Sequence, residues 1–522
     1  MILIAETTHC AIPTGYVFIP HMNALDHIGD LRFKLVLFII LIEFRIHLHH
    51  VGQGPASFRE VEHLPLDFGK RDAIVTRLSN DSGDEVLLCL ANSCELLHGR
   101  EYISHAQLRA CLSLSRPSDT AALFHPGSAC NHLLCMRTVI TAARLWDGAG
   151  FLDRPCIVVE DCRIASIGSA AAGGAPCGVQ ALSFPEATLA PAYFDVHFHG
   201  SAGHDVMEAT PEALGTIGRF LAARGTGRYL ATTVTAPVDA TLRALEGLAK
   251  WIQGMPGEDA RGARMIGIHL EGPFLSHQRR GVQPLEFLLE PDIALFDRFF
   301  EAAEGHVRLM TLAPELPGAI DLARHAIVRG VRISVGHSNA TAAETRAAVD
   351  TGAASATHTF NAMRPFDHRE PGILGVALSE DKLYAELICD GIHTSHEAVK
   401  LWWRAKGPAR AILVTDAMSA AGMPDGIYRL GGMDVDVQAG KATHDGVLAG
   451  SALTLDLGLA NLVAFTGAPL EQALAAATVN PAAMLGLGLG NALAPGELAD
   501  MAVLDGAGRL TASVMGGALV TA

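Results

Sequence analysis

Residues 264–274, RMIGIHLEGPF, open on an apolar run, end it on Glu271 and stop it with Gly272-Pro273. A strand halted by Gly-Pro leaves its last side chain at a tip where a loop begins. The same design recurs in ATLAPAYFDVHFHG (187–200), GRYLATTVT (227–235), HVRLMTLAPE (306–315), GVRISVGHS (330–338), SATHTFNAM (355–363), YAELICDGIH (384–393) and AILVTDAMS (411–419). Ala-rich stretches of helical character separate these runs, for example 211–224 and 242–252. Strand and helix in alternation build βαβ units and a parallel sheet. About eight such units close into a (β/α)₈ TIM barrel, so the expected fold class is α/β.

Around this core the texture changes. From Met136, MRTVITAARLWDG reads as a strand with a turn at Asp147-Gly148, and CIVVEDCRIASIG (156–168) reads as its hairpin partner. Near the other end, GNALAPGELADMAVLDGAGRL (490–510) holds a Pro-Gly turn and a strand that can return to pair with 136–168. The expected organisation is a small β-sandwich domain built from 136–190 and 490–522, with the barrel at 191–489. Residues 1–135 form an extension of unassigned fold, and Met136 would make a natural start for a complete enzyme. That extension carries six of the ten cysteines, and HLHH at 47–50 has no acidic partners nearby to make it a metal site. The run LVLFIILI (35–42) is far short of the ~20 residues a membrane helix needs and reads as a buried strand.

A formal net charge of −16 describes an acidic chain that repels nucleic acid and anionic membrane. Any anionic substrate must therefore meet a local cationic pocket. The cysteines form no CxxC pair, which fits thiols in a reducing compartment, and the protein is expected to be cytoplasmic.

The chemistry sits at the strand ends. His197 and His199 lie two apart in FDVHFHG, and the strand period of two turns both imidazoles to one side. Glu271 in HLEGPF, His337 in VGHS, His358 in THTF and Asp416 in VTDA repeat the placement on later strands. Any one of these alone is an ordinary strand end. Together they occupy the C-terminal face on which barrel enzymes place catalysis. Imidazoles and carboxylates in this number suit a divalent metal, zinc first, whose bound water titrates near pH 7 and supplies hydroxide. Asp416 can take a proton during attack and return it to a departing amine.

The segments FDVHFHG, HLEGPF, VGHSNA, THTFNAMRPF, CDGIH, VTDA, ATVNPAAMLGL and PGELADMAVLD closely resemble N-acetylglucosamine-6-phosphate deacetylases of the amidohydrolase superfamily. The resemblance spans 136–522 and none of 1–135. It implies that Glu271, His337 and His358 bind one metal and that His197 and His199 add a second, bridged through Glu271 and Asp416. It also implies that Asn361 and Ala362 contact the sugar phosphate, and that Arg369 in HREPG and His393 in CDGIH hold phosphate or sugar. In family members the arginine can come from the neighbouring subunit of a homodimer. The partner implied is a small-molecule amino-sugar phosphate.

One position departs from the family pattern. Where a histidine typically approaches the substrate carbonyl, RRGVQP places Gln283, which donates a neutral hydrogen bond. This opens the alternatives of N-acetylgalactosamine 6-phosphate or a non-phosphorylated N-acetylhexosamine. Cyclic-amide hydrolases, nucleobase deaminases and a sugar-phosphate sensor without turnover fit less well, because Glu271 stands where a bridging lysine would and the whole ligand set is present.

Overall fold

In a computed structural model, the described residues are 137–169, 180–254, 262–488 and 492–520, with the backbone of four strands nearer the N-terminus. The chain divides into two units, Met1–Asn131 and His132–Ala522. In the first, strands Phe58–Asp67, Asp72–Asn80, Glu85–Ala91 and Leu114–Ser115 form an antiparallel sheet in chain order. The run 35–42 and the histidines at 47–50 lie outside the described residues.

In the second unit, eight parallel strands follow one another round a barrel: β1 Tyr193–Phe198, β2 Thr226–Thr233, β3 Arg264–Glu271, β4 Val307–Leu312, β5 Arg332–Val335, β6 Ser355–Ala356, β7 Tyr384–Ile388 and β8 Ala411–Val414. The ends meet where Phe198 bridges Ala417 in parallel and the Asp416 N–H donates to the His197 carbonyl at 2.9 Å. A helix follows each strand: α1 Pro211–Ala223, α2 Val238–Gly254, α3 Ile293–Ala302, α4 Ala319–Val328, α5 Ala342–Thr351, α6 Gly372–Ser379, α7 His396–Arg410 and α8 Leu455–Thr466. The chain is a (β/α)₈ barrel with an added β domain.

Local chemistry starts these helices. Thr210 caps α1 ahead of Pro211, and Thr341 with Glu344 forms a reciprocal capping box on α5. The strand period of two then divides the core. Tyr229 and Met310 pack with Leu214, Ile217, Phe296 and Phe299 of the helices, and Leu387 and Leu413 pack with Val399, Trp402 and Leu459. Their strand neighbours Leu230, Leu309, Ile388 and Ile412 form a separate cluster.

The β domain draws on both ends of 136–522. Thr138–Trp146, Pro155–Glu160 and Arg163–Ser169 share a sheet with Gln180–Pro191, Met501–Leu504, Leu510–Met515 and Ala518–Val520. The returning strand Met501–Leu504 pairs with Gln180–Pro191 and reaches Thr138–Trp146 only through it. The direct pairing of 490–510 with 136–168 lies just ahead of that strand, where Leu498 bridges Arg163 and the Glu497 carbonyl accepts the Ile164 N–H at 2.8 Å. Gln180–Pro191 is twelve residues long, enough to carry both neighbours on its two edges. A second insertion, the four-stranded sheet Gly426–Leu430, Met433–Gln438, Lys441–His444 and Val447–Leu448, lies between β8 and α8.

Candidate metal centre

The six strand-end residues converge on one buried cluster at the C-terminal mouth of the barrel. His197 Nε2 stands 3.2 Å from Glu271 Oε1 and 3.5 Å from Asp416 Oδ1. His199 Nε2 is 3.1 Å from Asp416 Oδ1 and 3.4 Å from Glu271 Oε2. Glu271 Oε1 also lies 3.2 Å from His337 Nε2 and 3.1 Å from His358 Nε2. Two triads could each hold a cation, His197 with His199 and Asp416, and Glu271 with His337 and His358, their ligand atoms lying within 4.8 Å of one another in each.

The far nitrogens decide which atoms face this cluster. His199 Nδ1 donates to the Thr232 carbonyl at 2.9 Å, and His337 Nδ1 donates to the Arg279 carbonyl at 3.1 Å. A carbonyl only accepts, so both rings carry their proton on Nδ1 and turn a lone pair inward when neutral. His337 and His358 nevertheless bring their Nε2 atoms to 3.0 Å of each other, and His197 Nε2 is buried with no hydrogen-bond partner of sound geometry. Lone pairs gathered so closely about two carboxylates fit a divalent cation.

Burial alone would lower the His197 and His199 imidazoles, but the carboxylates of Glu271 and Asp416 outweigh it and hold both above their ordinary range. Burial would likewise raise Glu271 and Asp416, and the facing imidazoles bring both below theirs. The opposed shifts describe one site that binds positive charge.

Sequence-predicted contacts divide into two sets. Gln283 is buried against the cluster: its Nε2 donates to Glu271 Oε2 at 3.0 Å and its Oε1 accepts the Thr235 N–H at 2.8 Å. Asn361 is half-buried beside His358, whose carbonyl accepts its backbone N–H, and the Ala362 carbonyl accepts the Ser338 N–H at 3.0 Å. His393 Nδ1 donates to Asp390 Oδ2 at 2.7 Å, which leaves its Nε2 for another partner. Arg369 stands apart, exposed on a turn in which Asp367 accepts its backbone N–H. No hydrogen bond or ion pair among the described residues ties its guanidinium to the cluster.

Three supporting groups escaped the sequence reading. Glu386, wholly buried on β7, accepts a hydrogen bond from His197 Nδ1 at 3.2 Å. Asp195 accepts from Thr415 Oγ1 at 2.6 Å and from the His197 N–H at 3.2 Å, and burial pushes its carboxyl up to about 7. Thr232 holds His199 through its carbonyl, and its hydroxyl oxygen accepts the Phe198 N–H at 2.9 Å. A charged residue inside an apolar strand, as in YAELIC or YFDVHF, was the available signal.

The comparisons with known proteins converge on this site. The amidohydrolase family model matches residues 188–519. An N-acetylgalactosamine-6-phosphate deacetylase of Escherichia coli O157:H7 is 39% identical over 373 residues, covering 71% of this chain and 96% of that protein. An N-acetylglucosamine-6-phosphate deacetylase of Bacillus subtilis is 39% identical over 303 residues, covering 58% and 76%. Among solved structures, an N-acetyl-D-glucosamine-6-phosphate deacetylase variant of Mycobacterium smegmatis, in complex with N-acetyl-D-glucosamine 6-phosphate, superposes with a TM-score of 0.68 at 37% identity, covering 74% of this chain and all of the other. With the barrel, the strand-end cluster and these relatives in agreement, the chain belongs to the metal-dependent amidohydrolase family, in its N-acetylglucosamine-6-phosphate deacetylase branch.

Proposed function

We propose that the protein hydrolyses the acetamide of N-acetylglucosamine 6-phosphate, releasing acetate and glucosamine 6-phosphate. The observation that carries this reading is the convergence of four imidazoles and two carboxylates on one buried point, in a chain similar to deacetylases of that substrate. His197, His199 and Asp416 would hold one ion and Glu271, His337 and His358 another, with zinc as the metal. When bound, such ions acidify water and draw charge from an amide carbonyl.

The protein's own groups do the rest. Asp416, kept ionised by His197 and His199, accepts a proton from the attacking water and delivers it to the amine as the C–N bond breaks. Gln283 keeps Glu271 in place and has a second amide hydrogen to offer the substrate. His393, its Nδ1 committed to Asp390, presents Nε2 to a sugar hydroxyl, and Asn361 and Ala362 contact the sugar phosphate. Arg369 binds the phosphate with a planar fork from a neighbouring subunit of a homodimer, which accords with its exposed position here. The proposed compartment is the cytoplasm. Among the described residues, no helix is long and apolar enough to cross a membrane.

The Escherichia coli relative supports a second reading, N-acetylgalactosamine 6-phosphate as substrate. Acetate release from phosphorylated and free N-acetylglucosamine and N-acetylgalactosamine, with added zinc, decides between them. Rapid release from either 6-phosphate and little from the free sugars is expected. No release from any of the four would overturn the deacetylase reading.

A further inference from the structure

Glu386 lies at 0% exposure on the inward side of β7, beneath the metal centre, and no role in the reaction has been given to it. Its Oε2 accepts from His197 Nδ1 at 3.2 Å and from the backbone N–H of His358 at 3.3 Å. One oxygen thus touches a member of each triad. Its Oε1 is buried without a hydrogen-bond partner. A carboxylate sealed in a barrel with one oxygen unpaired is costly, and an apolar residue would fill the space more cheaply if packing were the only requirement.

We propose that Glu386 is a positioning residue that selects the cation-binding form of His197 and so decides whether the His197, His199 and Asp416 triad is loaded. This rests on the two-triad reading given above. His199 and His337 obtain their tautomers from backbone carbonyls, which the fold supplies whatever the side chains. His197 has no such carbonyl. Its Nδ1–H donates a hydrogen bond to Glu386, and in the neutral ring this leaves Nε2 with its lone pair toward Glu271 and Asp416.

The test is zinc binding by the full chain, measured as stoichiometry after dialysis and as affinity against a competing chelator. The native protein is expected to hold two ions. A native protein that holds one overturns the two-triad reading before any variant is made, and the proposal with it. Given two, Glu386→Gln should weaken one ion by about 10–100-fold and leave the other nearly unchanged. In a His197→Gln background, the same substitution should cause no further loss. Glu386→Asp, which keeps the carboxylate, should bind the weakened ion more tightly than Glu386→Gln. Unchanged affinity in Glu386→Gln, equal losses with and without His197, or no advantage of Asp over Gln would each overturn the proposal. Thermal melting of the metal-free variants separates these results from loss of fold.

Discussion

The Gln283 side-chain amide is held at both ends, its Nε2 on Glu271 Oε2 at 3.0 Å and its Oε1 on the Thr235 N–H at 2.8 Å. It therefore orients the carboxylate that reaches both triads. Gln283→Leu removes that support and leaves the Thr235 N–H buried without an acceptor, which costs about 1–3 kcal/mol. The expected outcome is weaker zinc retention, by about 10–100-fold, with a lowered melting temperature. Chelator competition and thermal unfolding measure the two effects, and native-like zinc retention would remove Gln283 from the metal centre.

Asp416→Asn keeps the size of the side chain and one ligand oxygen, but removes the proton acceptor. The kcat for acetate release should fall by about 10²–10⁴-fold, while zinc content stays near the native value. Turnover within a few-fold of native would show that the proton travels by another route.

Glycine at 272 is a steric requirement. Its φ is +96°, and a Cβ there would stand 2.1 Å from Thr235 Oγ1. Gly272→Ala should destabilise the fold by about 1–3 kcal/mol and disturb Glu271 next to it. Adding Thr235→Ala removes the hydroxyl and should recover part of the loss in denaturant melts. A double variant no more stable than the single one would place the strain elsewhere.

Lys406 gives a pH signature remote from the active site. Burial lowers its ammonium from 10.5 to about 8, and its Nζ donates to the Glu380 carbonyl at 2.8 Å. Because the folded value lies below the unfolded one, the unfolded chain holds more protons between those limits, and this group's contribution to stability rises with pH across them. The contribution is complete above about pH 10.5 and lost as pH falls through about 8. Subtracting the denaturation midpoints of Lys406→Met from those of the native protein between pH 7.5 and 10 should give a difference that grows with pH. A flat difference would show that Lys406 is solvated.

Much of this was legible in the chain because strands write themselves with a period of two and the chemistry follows each apolar run. VHFH, HLEGPF, VGHS, THTF and VTDA named the cluster without a structure. Conformation at those same residues was not legible. His337, His358 and Asp416 have φ values of 45°, 29° and 50°, a left-handed backbone that residues with a Cβ seldom adopt and that no sequence pattern announced. Glu386 was hidden for a different reason: its partner His197 is 189 positions away, and only the closed barrel makes them neighbours. Arg369 was named from motif resemblance, and its place in a single chain is on the surface.

Barrel closure also sets a clock. Asp195 and Thr415, 220 positions apart, bond across the seam beside His197 and Asp416, and Met501–Leu504, Leu510–Met515 and Ala518–Val520 complete the attached sheet later still. During synthesis His197 and His199 therefore emerge long before Asp416, the third member of their triad. On the proposed two-triad reading, ion capture by His197, His199 and Asp416 would belong to the last stage of maturation, because a ribosome-stalled fragment ending before residue 411 would lack the eighth strand and Asp416 with it.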